Sequence, residues 1–173
     1  MSSSDELRYI DSVCGLSGVE IKEAASRIAR LLEEIDPLIL EDTALVCPRC
    51  TEVCCISRHG RYAFDDLVFL TALGKKIAVD GNCLPWHMPC HYLGSGGCVL
   101  PRVMRPYRCT WYFCDSLMKE TGAKGPRQIR DFYALLRKIT AERSTMLELF
   151  AAAEKRAGRE FLRSPFRPDD PID

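Results

Sequence analysis

The sequence predicts a mainly α-helical fold. Three observations carry that expectation: apolar residues recur at helical spacing near each end of the chain, the middle third has almost no periodicity, and that middle third is crowded with cysteine. The expected architecture is a helical scaffold, an N-terminal helix paired with a long C-terminal helix, carrying a loop-rich cysteine cluster stabilised by metal. It is read as a single domain over residues 1–173, with residues 47–114 as a cysteine-rich metal-binding region within it.

Each element has a local reason. Ser4 suits the cap of a short helix bearing Leu7, Ile10, Val13 and Cys14, which Gly15 ends. Cys14 belongs to that apolar stripe and is read as core. Ser17 and Glu20 form a capping-box pattern before a second stripe of Val19, Ile21, Ala24, Ala25, Ile28, Leu31, Leu32 and Ile35. Asp36 and Pro37 are expected to stop this helix, leaving Leu38, Ile39, Leu40, Leu45 and Val46 as an apolar connector. Asp65 is the expected cap of a helix over residues 66–73, and Gly74 suits a left-handed exit. From Gly125 and Pro126 a long helix should run to about Gly158, facing Ile129, Phe132, Tyr133, Leu136, Ile139, Met146, Leu149, Phe150 and Ala153 inward. Pro165, Pro168 and Pro171 mark the last ten residues as a frayed tail.

Composition bounds the function. Hydrophobic residues make up 47% and charged ones 28%, an ordinary globular balance, and no apolar run is long enough to span a bilayer. The first residues lack the basic start and apolar stretch of a signal peptide, so the expected location is cytoplasmic, without membrane association. In a reducing compartment ten cysteines read as metal ligands or redox groups rather than disulfides. The formal charge is zero, from 24 basic and 24 acidic residues, so nucleic-acid binding is not expected, while a protein partner is left open. Between Cys47 and Cys114, however, eight basic residues face four acidic ones. Two divalent ions held by eight thiolates would carry a net charge of about −4, which that basic surplus would offset.

The candidate ligands are Cys47, Cys50, Cys54, Cys55, Cys90, Cys98, Cys109 and Cys114. Cys47-Pro-Arg-Cys50 has the two-residue spacing with which a tight turn presents two thiolates to one metal. A thioredoxin-like redox pair shares that spacing but needs a strand before it and a helix opening directly after it, and Thr51 to Cys55 offers no helix start. Eight thiols in 68 residues exceed what core filling explains, and eight partition naturally as four plus four, although spacing does not say which four. Adjacent side chains diverge in extended backbone, so Cys54 and Cys55 favour two sites, or one ligand beside one packed thiol. His59 and His91 are stronger candidate imidazole ligands than His87, and Cys83 is a reserve. Arg58, Arg61, Arg105 and Arg108 are expected to hydrogen-bond or offset the thiolates, and Trp86, Tyr107, Trp111, Tyr112 and Phe113 to wall them from water.

The order of these motifs resembles the YkgJ-type cysteine-cluster family. It is carried by the C-x2-C-x3-C-C run, Gly60 and Asp65 ahead of an apolar helix, Pro89-Cys90-His91-Tyr92-Leu93, Gly97-Cys98-Val99-Leu100, Arg105-Pro106, Cys109 and Tyr112-Phe113-Cys114. What the resemblance implies is metal chelation by the eight matched cysteines, with zinc or an iron–sulfur cluster as the bound group, and no particular reaction. Three residues separate Cys50 from Cys54 where the family commonly has two, which leaves the choice between Cys54 and Cys55 open. A related pattern occurs in flagellin lysine N-methylases, so an iron–sulfur-dependent redox or protein-modifying component stands as the alternative to a zinc-binding module. A metal-dependent hydrolase would need a base such as Asp65 or Asp66, which are better explained as helix-start residues.

Overall fold

The computed structural model describes residues 3–16, 18–50, 53–77 and 85–158. Six helices and one small hairpin make up these segments: α1 (Ser3–Leu16), α2 (Gly18–Val46), α3 (Phe64–Ala72), β1 (Leu93–Gly94), β2 (Gly97–Cys98), α4 (Arg108–Trp111), α5 (Asp115–Gly122) and α6 (Pro126–Arg156). The fold is mainly α-helical, as the periodicity predicts. None of the described helices is long and apolar enough to cross a membrane. The expected Ser17 cap, the reserve ligand Cys83 and the tail beyond Gly158 lie outside the described residues.

The predicted pairing of a helix near the N-terminus with a long C-terminal helix is present. Helix α2 buries Ile21, Ala24, Ala25, Ile28, Leu32, Ile35 and Ile39 against Phe132, Leu135, Ile139, Met146, Phe150 and Ala153 of α6. Arg27 pairs with Glu142 at 2.9 Å, whereas Glu41, farther along α2, pairs with Lys124 just before α6, so the two helices run antiparallel. At roughly 1.5–3 kcal/mol for each large side chain buried, this seam is a dominant source of stability. Helix α1 adds Ile10, Val13 and Cys14, and the nearly enclosed α3 adds Leu67, Val68, Phe69, Leu70 and Ala72.

Several local expectations need correction. Pro37 does not end α2, which continues nine residues further to Val46. Pro37 faces solvent while Ile35, Ile39 and Asp42 hold the buried face on either side of it, so packing outweighs the missing amide. Val19 is 70% exposed and Tyr133 42% exposed, so neither belongs to an inward stripe. In α6 the inward positions include Leu135, Arg143 and Glu154. The cap of α3 is Ala63, not Asp65; the Ala63 amide donates to the Asp66 carboxylate at 3.1 Å, and Gly74 takes the expected positive φ of 65°.

Asp66 is the hinge between scaffold and loops. Its carboxylate also accepts the Tyr107 amide at 3.0 Å and Arg143 at 2.9 Å, while Arg143 reaches Asp65 as well. Burial pushes the Asp66 carboxyl up, against the opposing pull of Arg143. The result ties the start of α3, the middle of α6 and the turn leading into α4 to one buried carboxylate.

Candidate functional site

The loops between α2 and α5 fold back so that thiols far apart in sequence meet. Helix α2 runs into a 3-10 turn over Cys47–Arg49, where the Cys50 amide donates to the Cys47 carbonyl at 3.2 Å. The segment after Cys54 pairs with the segment before the hairpin: Ile56 bridges Pro89, Ser57 donates to the Met88 carbonyl, and Cys90 donates to the Cys55 carbonyl at 2.9 Å. The hairpin pairs Leu93 with Cys98 and Gly94 with Gly97, whose φ of 108° suits glycine. Cys109 sits in α4, and Cys114 is the residue at which α5 starts.

All eight predicted ligand cysteines line two adjoining cavities. The smaller, about 150 Å³, is lined by Cys47, Cys50, Cys54, Cys55 and Cys114. The larger, about 270 Å³, is lined by Cys47, Cys54, Cys55, Cys90, Cys98 and Cys109, together with His59, Arg102, Arg105 and Arg108. Every one of the eight is partly buried, and each is a free thiol, as is the fully buried Cys14 of α1. The expected assignment of Cys14 to the core holds.

Electrostatics divides the eight into two neighbourhoods. Burial raises the Cys47 thiol, and Cys54, Cys114 and Cys50 raise it further. Cys114 hydrogen-bonds Cys54, which donates in turn to Cys55, holding the Cys54 proton on and lowering Cys55. Burial, then Cys98 and Cys90, push Cys109 up to about 12 despite the opposing charges of Arg102 and Arg105. Cys55 feels Cys109 and Cys90 in addition to Cys47. Cys47, Cys50, Cys54 and Cys114 therefore neighbour one another, as do Cys90, Cys98 and Cys109, and Cys55, which lines both cavities, stands between the two sets in contact with Cys54. Among the described residues no group of three or more His, Cys, Asp or Glu side chains stands in an arrangement that could hold a metal ion. The sulfurs converge on the cavities without closing around a point.

Of the histidines, only His59 lines the larger cavity. Its Nδ1 stands 2.9 Å from the Cys54 carbonyl, so Nδ1 carries the proton and Nε2 keeps a lone pair. Burial lowers its pKa, with Arg108 and Arg58 adding to that effect and the Cys54 carbonyl opposing it. His91 is exposed and rests on Tyr92, and His87 is exposed too, so neither joins the thiols.

The expected supporting residues are only partly in place. Arg58 and Arg61 lie over Trp86, and Arg108 over Trp111, while Arg105 donates to the Leu100 and Cys98 carbonyls. Tyr112, although 39% exposed, and Phe113 do line the larger cavity, and Phe113 also packs edge-on against Phe132; Trp86 and Trp111 are exposed and line neither cavity, and Tyr107 lies beneath Arg143. Two further residues have roles here, Arg102 with only a weak sequence signal and Gly60 already among the motifs of the resemblance. Arg102 is buried and spans from Asp36 to the Cys109 carbonyl, although nothing near it separates it from the other arginines. Gly60 leaves room for Cys90: a β-carbon there would lie 2.4 Å from the Cys90 sulfur.

Fold and site together define a helical protein with a thiol-lined double cavity at one end of its scaffold. No protein-family model, curated protein or solved structure matches the chain. The family resemblance is thus carried by the order of motifs in the sequence alone.

Proposed function

We propose that this chain is a metal-binding protein whose two thiol groups, Cys47, Cys50, Cys54 and Cys114 on one side and Cys55, Cys90, Cys98 and Cys109 on the other, each take a metal centre, in the first instance zinc. The observation that carries the reading is the meeting of these eight side chains at two adjoining cavities from loops with almost no oily core. Between residues 53 and 63 and between 85 and 114 the fully buried positions are Ser57, Gly60, Arg102, Pro106 and Thr110. Such residues supply little hydrophobic stabilisation, and sulfur-to-metal bonds would supply what is missing.

Loading requires the thiols to lose protons and their side chains to turn inward, because the sulfurs do not yet close around a point. The fit rests on the donor set. Four thiolates per group match a closed zinc site, which crosslinks chain and performs no reaction. His59 stands by as an alternative donor, since its Nε2 lone pair is available. Metal at the first group would join the end of α2 to the start of α5, and metal at the second would join the Cys55 segment, the hairpin and α4.

A second reading is favoured by the size of the larger cavity. A space of about 270 Å³ lined by six of the eight thiols exceeds what one ion needs and suits a cluster with bridging sulfides, as expected of an iron–sulfur redox or protein-modifying component. Anaerobic purification followed by metal analysis, absorption spectroscopy and sulfide assay tests both readings. Colourless protein with about two zinc ions per chain supports the first. Brown protein with acid-labile sulfide supports the second, and a folded, fully reduced chain that takes up neither zinc nor iron overturns both.

A further inference from the structure

We propose that Arg102 is a positioning residue of the second thiol group, its Nη2 donating a hydrogen bond to the metal-bound sulfur of Cys109. The inference rests on the metal reading above and adds to it a specific partner for one ligand. Arg102 is 4% exposed and lines the larger cavity together with Cys109. Its Nε donates to Asp36 at 2.7 Å and its Nη1 to the Cys109 carbonyl at 3.0 Å, but Nη2 is buried without a hydrogen-bond partner. A guanidinium keeps its charge in a protein interior, so an unpaired N–H there is costly and calls for an acceptor.

The Nη1 bond already holds the group against the backbone of Cys109, whose protonated thiol donates to the His59 carbonyl at 3.7 Å. A protonated thiol is a weak acceptor, whereas a metal-bound thiolate is a strong one. Only the loaded site therefore gives Nη2 its partner. Arg105, which lines the same cavity, commits its Nε and Nη2 to the carbonyls of Leu100 and Cys98, whereas Arg102 keeps Nη2 unpaired. Asp36 sets the pose from α2 by bonding Nε, so the fork cannot swing away from Cys109 without breaking that ion pair.

Cobalt(II) titration of the reduced, metal-free full chain tests this, with a chelator in competition and the sulfur-to-cobalt charge-transfer band as the readout. A Cys50→Ser background isolates the second group, and a Cys90→Ser background isolates the first. Arg102→Met and Arg102→Lys should each weaken cobalt binding at the second group by about tenfold or more and leave the first unchanged. Lysine keeps the charge but not the fork, so an Arg102→Lys protein that binds like wild type would overturn the hydrogen bond. Equal weakening of both groups, or no change at either, would overturn the assignment as well. If Arg102→Met fails to fold by circular dichroism, Arg102→Lys carries the test. A wild-type chain that takes up no cobalt is a separate result: it removes the metal reading, and this inference with it.

Discussion

The helical scaffold and the thiol loops are stabilised by opposite means. Helices α1, α2, α3 and α6 bury a continuous apolar seam in which Ile10, Ile21, Ile28, Ile35, Leu70, Ile139, Met146 and Phe150 are almost completely enclosed. Among the described residues, the thiol loops instead touch that seam through partly buried Tyr62, Val103, Met104, Tyr107 and Phe113, and otherwise rely on backbone hydrogen bonds and a few polar anchors. The scaffold carries its own apolar core, whereas on the proposed reading the loops would be completed by metal. Stability and site occupancy should therefore respond to different substitutions.

The largest expected effect breaks the scaffold. Phe150 is fully buried and meets Phe64, the first residue of α3, edge to face at a centroid distance of 5.8 Å. Phe150→Ala should cost about 3–5 kcal/mol in denaturant unfolding, through lost burial and the cavity left behind. Zinc bound per folded chain should stay at the wild-type value. Lost zinc in the remaining folded fraction would show that the two regions are not energetically separate.

How much of this was readable beforehand follows the same division. Helices were legible because an apolar stripe of period 3.6 is a local signal, and those of α2 and α6 are long. The proline rule failed at Pro37 because it is also local: the buried face that resumes at Ile39 and continues to Asp42 is set by α5 and by the segment before α6, where Thr121 bonds Asp42 at 2.7 Å and Lys124 pairs with it at 2.6 Å. Helix α5 escaped notice since Leu117 is its one buried residue, and the hairpin since its strands are two residues each. In the site, residue type was legible and partnership was not. Nothing in the spacing says that Cys114 belongs with Cys47, or that Asp36, which looks like a helix stop, orients Arg102 at the cavity wall.

A middle-sized effect separates the regions by pH. Cys14 packs in α1, where burial first and Asp11 second raise its thiol from an ordinary 9.0 to about 11. A folded pKa above the unfolded one means that the protonated thiol favours folding: its contribution is complete below pH 9.0 and is lost as the pH rises through about 11. That loss is on the order of 2 kcal/mol. Denaturation midpoints of wild type and Cys14→Ala, compared at neutral pH and near pH ~11, should differ in slope, with the variant losing less stability. Parallel pH curves would mean that the Cys14 thiol does not titrate within the fold.

The smallest effect on folding should be the most telling for the site. A β-carbon at Gly60 would stand 2.4 Å from the Cys90 sulfur, closer than non-bonded atoms tolerate, and the thiol, being the free end of a short side chain, is what must yield. The Gly60 backbone has no positive φ to lose, so Gly60→Ala should change unfolding free energy by less than about 1 kcal/mol. Turning Cys90 aside nevertheless removes one donor from the second group while leaving Cys47, Cys50, Cys54 and Cys114 untouched. Titration of the metal-free protein should then show one intact site and one weakened by about tenfold or more, a comparison that needs no change to any ligand. Unaltered binding at both groups would mean that the Cys90 sulfur has room to return to its place, and would take Gly60 out of the site.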